Sequence, residues 1–128
     1  MIVYVLKEDS RIAFPMNVPD KATWKDFAEA CKCDYIDIRN VSPHHKELFG
    51  NNYCLIFDEE FLLRETHPVA NLLASYLYGA QYHFQWLCGR VLVAKQKNDE
   101  IVGLDNNDLE ILAKFLGKHV KDIFSLIR

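Results

Sequence analysis

Residues 67–96 decide the fold, and they read HPVANLLASYLYGAQYHFQWLCGRVLVAKQ. Their first part has apolar side chains at helical spacing, and Gly79 follows where a left-handed residue commonly ends a helix. The last part is a glycine followed by an apolar, β-branched run of the kind found in strands. We therefore predict a helix over 69–78 and a strand over 89–96, joined by the aromatic linker AQYHFQWL.

The rest of the chain alternates in the same way between strand-like and helix-like segments. The patterns predict a hairpin over 2–14, a helix beginning near Trp24 with the tryptophan in the core, a strand over 34–41, and a second hairpin made by 53–57 and 61–64. The polar stretch KNDEIVG is predicted to be a loop. Two helices then follow, the first capped by Asp105 and ended by Gly117.

This order of segments is typical of an α+β protein. We predict a mixed, mostly antiparallel small sheet with helices packed on it, in two layers. The 128 residues contain no segment that looks like a linker, so we predict a single domain over residues 1–128. A sheet of this kind leaves an edge strand open to a partner, including a second copy in a homodimer.

The composition indicates which partners and which cellular compartment to expect. The net charge is −3 with no basic stripe, which makes nucleic acid an unlikely general ligand. No apolar run approaches the roughly 20 residues that cross a bilayer, so no membrane partner is expected. The opening MIVYVLKEDS lacks the apolar core of a signal peptide, and we expect a cytoplasmic protein with reduced cysteines.

Catalytic and metal-binding patterns are weak throughout the chain. A zinc site could be drawn from Cys31, Cys33, His44 and His45, but the one-residue spacing of the cysteines is shorter than that of usual zinc knuckles. Two structural cysteines are the better interpretation. The serines lack a nucleophile elbow, and the glycines are scattered singly. We predict no catalytic residue, no metal and no cofactor, and hence a non-enzymatic protein.

Two groups of residues are candidates for binding a partner protein. Tyr82, Phe84 and Trp86 belong to no helical or strand periodicity that would explain aromatic residues at these positions. Aromatic side chains are frequent interface anchors. The alternative is that they cover the edge of the core. The acidic group of Asp58, Glu59 and Glu60 could face a basic partner surface, although such groups are more often simply solvated.

A third group suggests a site for a small ligand. Asn71, Ser75 and Tyr78 lie along one side of the predicted helix, and Arg90 begins the strand that follows it. A pocket between them could hold a small ligand or nucleotide. The structural alternative is that the polar stripe ties the helix to a neighbouring loop.

Five segments carry a resemblance to a known family, namely YIDIRNV, NNYCLIFDEEFLL, PVANLLASYLYG, LCGRVLVAKQ and GLDNNDLEILAKFL. In order and spacing they resemble a family of small uncharacterised proteins from phages, plasmids and other mobile elements, catalogued as a domain of unknown function. The resemblance spans roughly residues 34–116 and is most specific at Asp58, Glu59, Asn71, Gly79 and Gly89. The aromatic linker and the last helix depart from the family pattern.

The resemblance implies a source class and no reaction. Small proteins of mobile elements often bind and block other machinery, which favours a non-enzymatic accessory protein that binds a host or phage protein complex. Inhibition of a host defence system, of the anti-CRISPR or anti-restriction type, is one form of such binding. The alternative function is a small-ligand or nucleotide-binding module.

Overall fold

A computed structural model describes residues 1–8, 12–60 and 69–126, and within them an antiparallel sheet forms the centre of the molecule. Its six described strands are β1 (Ile2–Leu6), β2 (Ala13–Asn17), β3 (Ile36–Asn40), β4 (Tyr53–Asp58), β5 (Val91–Lys97) and β6 (Glu100–Val102). The strand order is β2-β1-β5-β4-β3, and β6 also pairs with β5. The predicted α+β class is confirmed, and each described pairing is antiparallel.

Strand β5 is central because it pairs with β1 on one side and β4 on the other. Residues 91–94 are fully buried, since successive side chains point to opposite faces and both faces are covered. Val91 and Val93 enter the larger core, while Leu92 and Ala94 enter a smaller core on the other face. The continuous apolar run VLVA is what burial on two faces requires.

Helices cover both faces of the sheet. The larger core includes residues from α2 (Leu72–Tyr78), α4 (Asn106–Lys118) and α5 (Val120–Ser125). On the other face, α1 (Trp24–Ala30) contributes Phe27 to the smaller core. The short helix α3 (Ala80–His83) follows α2. The two-layer description is therefore incomplete, because α1 adds a third layer.

Three predicted helix details differ from the structure. Helix α2 begins at Leu72 instead of 69, because the Asn71 side chain caps it by accepting a hydrogen bond from the Ala74 N–H at 3.0 Å. Gly117 lies inside α4 and does not end it. Trp24 is 53% exposed and is not a core residue. The left-handed helix end at Gly79 is confirmed, with φ at 96°.

The predicted hairpins also have mixed outcomes. The first is confirmed by the pairing of β1 with β2. For the second, β4 is present and pairs with β3 and β5, and the other predicted strand, 61–64, lies outside the described residues. The predicted loop KNDEIVG instead contains β6, joined to β5 by a turn in which Asn98 and Asp99 have φ of 51° and 66°.

Across 1–8, 12–60 and 69–126, no helix combines the length and the apolar character needed to cross a membrane.

Candidate functional site

The loop of residues 41–52 packs against the C-terminal end of α2. Ser42 donates its backbone N–H to the carbonyl of Leu77 at 2.8 Å. A Cβ atom at Gly79 would lie 3.0 Å from both Cβ and Oγ of Ser42, so the close approach favours glycine there as much as the positive φ does. These contacts fix the point from which α3 leaves α2.

Phe84 ends α3 in an unusual backbone conformation. Its φ is 61°, in the left-handed region, and its N–H donates to the carbonyl of Ala80 at 2.8 Å. The neighbouring His83 uses both ring nitrogens: Nε2 donates to the Tyr78 carbonyl at 3.0 Å, and Nδ1 accepts from the Gln85 N–H at 3.0 Å. The turn is thus held from both sides, while the Phe84 side chain is 81% exposed.

Tyr82 joins this turn to the preceding loop. Its ring stacks on the ring of His44, with centroids 3.8 Å apart and planes 17° from parallel. Both residues are exposed. We call His44, Tyr82 and Phe84 the aromatic surface. Phe49, which is 79% exposed, belongs to the same loop as His44.

The sequence predicted only part of the aromatic surface. Tyr82 and Phe84 lie on it, whereas Trp86 is half-buried and leads into the buried Leu87 and Cys88. The sequence offers His44 only as a possible metal ligand, and it gives no prediction for Phe49. Phe49 could have been found from the sequence, because it lies in the polar loop SPHHKELFGNN and belongs to no apolar pattern.

The predicted acidic group does not form one exposed cluster. Asp58 is buried at the end of β4, and its Oδ1 accepts a hydrogen bond from the Glu60 N–H at 2.9 Å. Glu59 is exposed and Glu60 is half-buried. Asp58 therefore shapes the turn after β4 and is not presented to a partner in this structure.

Asn71 and Ser75 use their polar atoms inside the protein. The Asn71 amide donates to the carbonyls of Leu6 at 2.9 Å and Gly89 at 2.8 Å. The Ser75 hydroxyl donates to the Leu87 carbonyl at 3.2 Å and accepts from the Leu87 N–H at 2.9 Å. Both residues are fully buried. These are the contacts expected of a polar stripe that ties a helix to its neighbours.

Tyr78 and Arg90, the other predicted ligand contacts, also have internal partners. The Tyr78 hydroxyl donates to Gln85 Oε1 at 3.4 Å. The Arg90 Nε atom lies 3.8 Å from Glu8 Oε2, and its guanidinium lies 6.0 Å from the centre of the Phe14 ring. These side chains therefore contact other groups of the protein, and a ligand pocket between α2 and β5 stays a prediction.

The two histidines of the possible zinc site have different environments. His45 is buried and donates from Nε2 to the Tyr76 carbonyl at 2.7 Å, whereas His44 is exposed. Burial lowers the pKa of His45 below its ordinary value. Within the described part of the chain, no group of three or more His, Cys, Asp or Glu residues could hold a metal ion.

A hydrogen-bonded chain beside His45 has the residue types of a catalytic site. The Tyr76 hydroxyl lies 3.0 Å from Nδ1 of His119, and Nε2 of His119 lies 3.2 Å from Glu47 Oε1. Burial raises the pKa of Tyr76 to about 12, which is opposite to what an activated hydroxyl needs. The chain of contacts instead links α2, α4 and the loop before β4.

A separate cleft of about 540 Å³ opens on the α1 side of the sheet, within the range of small-molecule sites. Its apolar lining includes Trp24, Phe27, Ile36 and Ile38. None of the predicted ligand-binding residues lines this cleft.

Comparisons with protein-family models, curated proteins and solved structures give no match to the chain. The resemblance to the mobile-element family therefore stays a prediction.

Proposed function

We propose that this protein is a non-enzymatic binding protein that captures a partner protein through the aromatic surface, with Phe84 as its anchor. The observation that carries the proposal is the combination of a left-handed backbone and 81% exposure at Phe84. An aromatic residue held in this way is presented to the outside by a fixed turn. Strained positions of this kind are concentrated at functional sites.

Folding alone gives no reason for phenylalanine at this position. A left-handed backbone costs a residue with a side chain roughly 1–2 kcal/mol, and glycine would avoid that cost. Because the ring is exposed in the folded protein, its burial offsets little of this backbone cost. Full burial of the ring against a partner would contribute about 1.5–3 kcal/mol, so the side chain becomes favourable once a partner covers it.

The chemistry of the surface indicates the kind of partner. Phe84 fits an apolar pocket, and Tyr82 combines an apolar ring with a hydroxyl that suits the rim of an interface. Burial of the Phe84 turn would leave its backbone hydrogen bonds intact, because Ala80 and His83 already provide them. Such preorganisation reduces the entropy lost on binding.

A host or phage protein complex is the partner we propose, with inhibition of a host defence system as the outcome. The family resemblance, the lack of a catalytic arrangement in the described residues and the preformed aromatic anchor support this proposal. The rest of the proposal depends on the Phe84 anchor.

The test compares Phe84→Gly with Phe124→Ala, which truncates a 42% exposed phenylalanine on α5. Each protein is immobilised, and the proteins captured from bacterial lysates are identified by mass spectrometry. We expect the specific partner to be retained by the original protein and by Phe124→Ala, and lost at least tenfold with Phe84→Gly. The melting temperature of Phe84→Gly should not fall, since glycine relieves the left-handed strain.

Equal capture by Phe84→Gly and the original protein would overturn the proposal. Loss of capture with both variants would also count against it, because the binding would then not be specific to the aromatic surface.

A further inference from the structure

Helix α1 ends in a turn that brings two cysteines together. Cys31 is the C-cap residue of α1, and Lys32 follows with φ at 57°. The N–H of Lys32 donates to the Glu29 carbonyl, and the N–H of Cys33 donates to the Ala28 carbonyl, both at 3.0 Å. This pair of bonds is a Schellman motif with lysine where glycine is usual.

The left-handed residue sets the distance between its two neighbours. At a φ near +57°, the allowed ψ lies close to the mirror image of the α-helical value. Helical radius and rise then place the Cα atoms of Cys31 and Cys33 about 5.4 Å apart. Disulfides usually join Cα atoms separated by roughly 4.4–6.8 Å, so the backbone needs little movement to accept one.

The two side chains are also close enough to interact, because the neighbouring Cys33 thiol raises the pKa of Cys31. Each thiol lies in addition 3.5 Å from a carbonyl oxygen, that of Ile56 for Cys31 and that of Tyr35 for Cys33. Cys31 is buried and Cys33 is half-buried, so a reagent from solvent reaches Cys33 first.

We propose that Cys31 and Cys33 are a modification site, at which a reversible disulfide forms when the folded protein meets a small-molecule disulfide such as oxidised glutathione. The Cys33 thiolate attacks one sulfur of oxidised glutathione, and one glutathione thiolate leaves. Cys31 then loses its proton to solvent and attacks Cys33 Sγ, which releases the second glutathione. Two protein thiols are oxidised, and one glutathione disulfide is reduced to two thiols.

The order of attack follows from the environment of each sulfur. Contact with Cys33 and burial raise the pKa of Cys31, so it is a poor first nucleophile and acts after the mixed disulfide is next to it. Burial also raises the pKa of Cys54, to about 12, and that of Cys88. Those two thiols remain protonated and do not compete.

The chain offers a direct test, because trypsin cleaves between the two cysteines. Cleavage after Lys25, Lys32 and Arg39 separates residues 26–32 from residues 33–39. The folded protein is incubated with excess oxidised glutathione, alkylated and digested without reduction. We expect the two peptides to be recovered mainly as one linked species, two hydrogens lighter than their sum, and as separate peptides again after reduction.

Two variants make the result specific. Cys33→Ser should abolish the linked species, and Cys88→Ser should retain it. Circular dichroism before digestion verifies that each variant is folded. The proposal is overturned if the folded protein yields both peptides alkylated and separate, if oxidation stops at glutathione on Cys33, or if Cys31 is linked to Cys54 instead.

Discussion

Asn71 is a fully buried amide whose hydrogen bonds join three parts of the chain. It caps α2 at Ala74 and donates to the carbonyls of Leu6 and Gly89. Asn71→Ala would leave three backbone groups without this partner, at a cost of about 1–3 kcal/mol for each group that stays buried. We expect a total loss of about 3–4 kcal/mol in the free energy of unfolding, measured by urea denaturation.

Asn71→Asp is the matched variant for this prediction. It keeps an oxygen that can cap α2, but it places a carboxylate against the two carbonyls that now accept from the amide. It should therefore be at least as unstable as Asn71→Ala at pH 7. Near-normal stability of both variants would mean that the hydrogen bonds of Asn71 do not stabilise the fold. Asn71 would then be a possible ligand contact.

His45 should make the protein less stable as the solution becomes mildly acidic. Burial lowers its pKa below the ordinary 6.5, as do His119 and His44, while the Tyr76 carbonyl and Glu47 raise it. The folded protein thus keeps the ring neutral where the unfolded chain takes up a proton. This contribution is complete above pH 6.5 and is lost progressively as the pH falls below it.

The measurement is the urea midpoint at about pH 7.5 and about pH 5.5, a window above the pH range in which ordinary carboxylates are protonated. His45→Gln keeps a side-chain donor for the Tyr76 carbonyl but cannot titrate. We expect the midpoint of the original protein to fall between the two pH values and that of His45→Gln to fall less. An equal fall in both proteins would assign the pH dependence to another group.

At the scale of elements, the sequence predicted those with strong local signals. Asp105 caps α4 through its side chain, as its residue type before an apolar periodic segment predicts. Strand β6 was missed because it has three residues and follows a turn whose left-handed positions hold Asn98 and Asp99 without a glycine. The left-handed Phe84 has no residue-type signal at all.

Gly117 is a helix-stop signal that α4 passes by one residue. It was predicted to end α4, yet the helix continues to Lys118, and a Cβ at this position would meet nothing within 4 Å. Gly117→Ala should therefore raise the free energy of unfolding by about 0.8–1 kcal/mol, the difference in helix propensity. A thermal melt should show an increase in Tm of a few degrees; a decrease would mean that the glycine has a role in packing.

At the scale of the whole molecule, strand order could not be read from the sequence. Strand β5 pairs with β1, which is more than eighty residues away in the chain, and no local pattern specifies that neighbour. The third layer could have been inferred from residues 91–94, which are continuously apolar. A strand covered on one face only would alternate between apolar and polar residues. Two of the three residues of the aromatic surface could be predicted, because Tyr82 and Phe84 break periodicity, whereas His44 joins them only through the packing of a distant loop.

Gly103 lies where the end of β6 meets the start of β1. A substitution there tests whether these two segments, which are distant in the chain, are packed together. A Cβ at Gly103 would lie 2.5 Å from the Met1 Cβ and 3.1 Å from the Ile2 nitrogen. Beside it, the Leu104 N–H donates to the Ile2 carbonyl at 2.7 Å. Because backbone and a Cβ have little freedom to move, Gly103→Ala must separate the two segments and strain this hydrogen bond.

We expect Gly103→Ala to lower the free energy of unfolding by about 1–3 kcal/mol, the usual cost of overpacking. Gly117→Ala is the matched control, because it adds the same methyl group where the space is open and should act in the opposite direction. Both variants are measured by urea denaturation with the original protein. Opposite signs would show that contact between chain segments decides the effect of the added methyl group. A neutral or stabilising effect of Gly103→Ala would mean that β1 and the segment after β6 are not held together as closely as the structure places them.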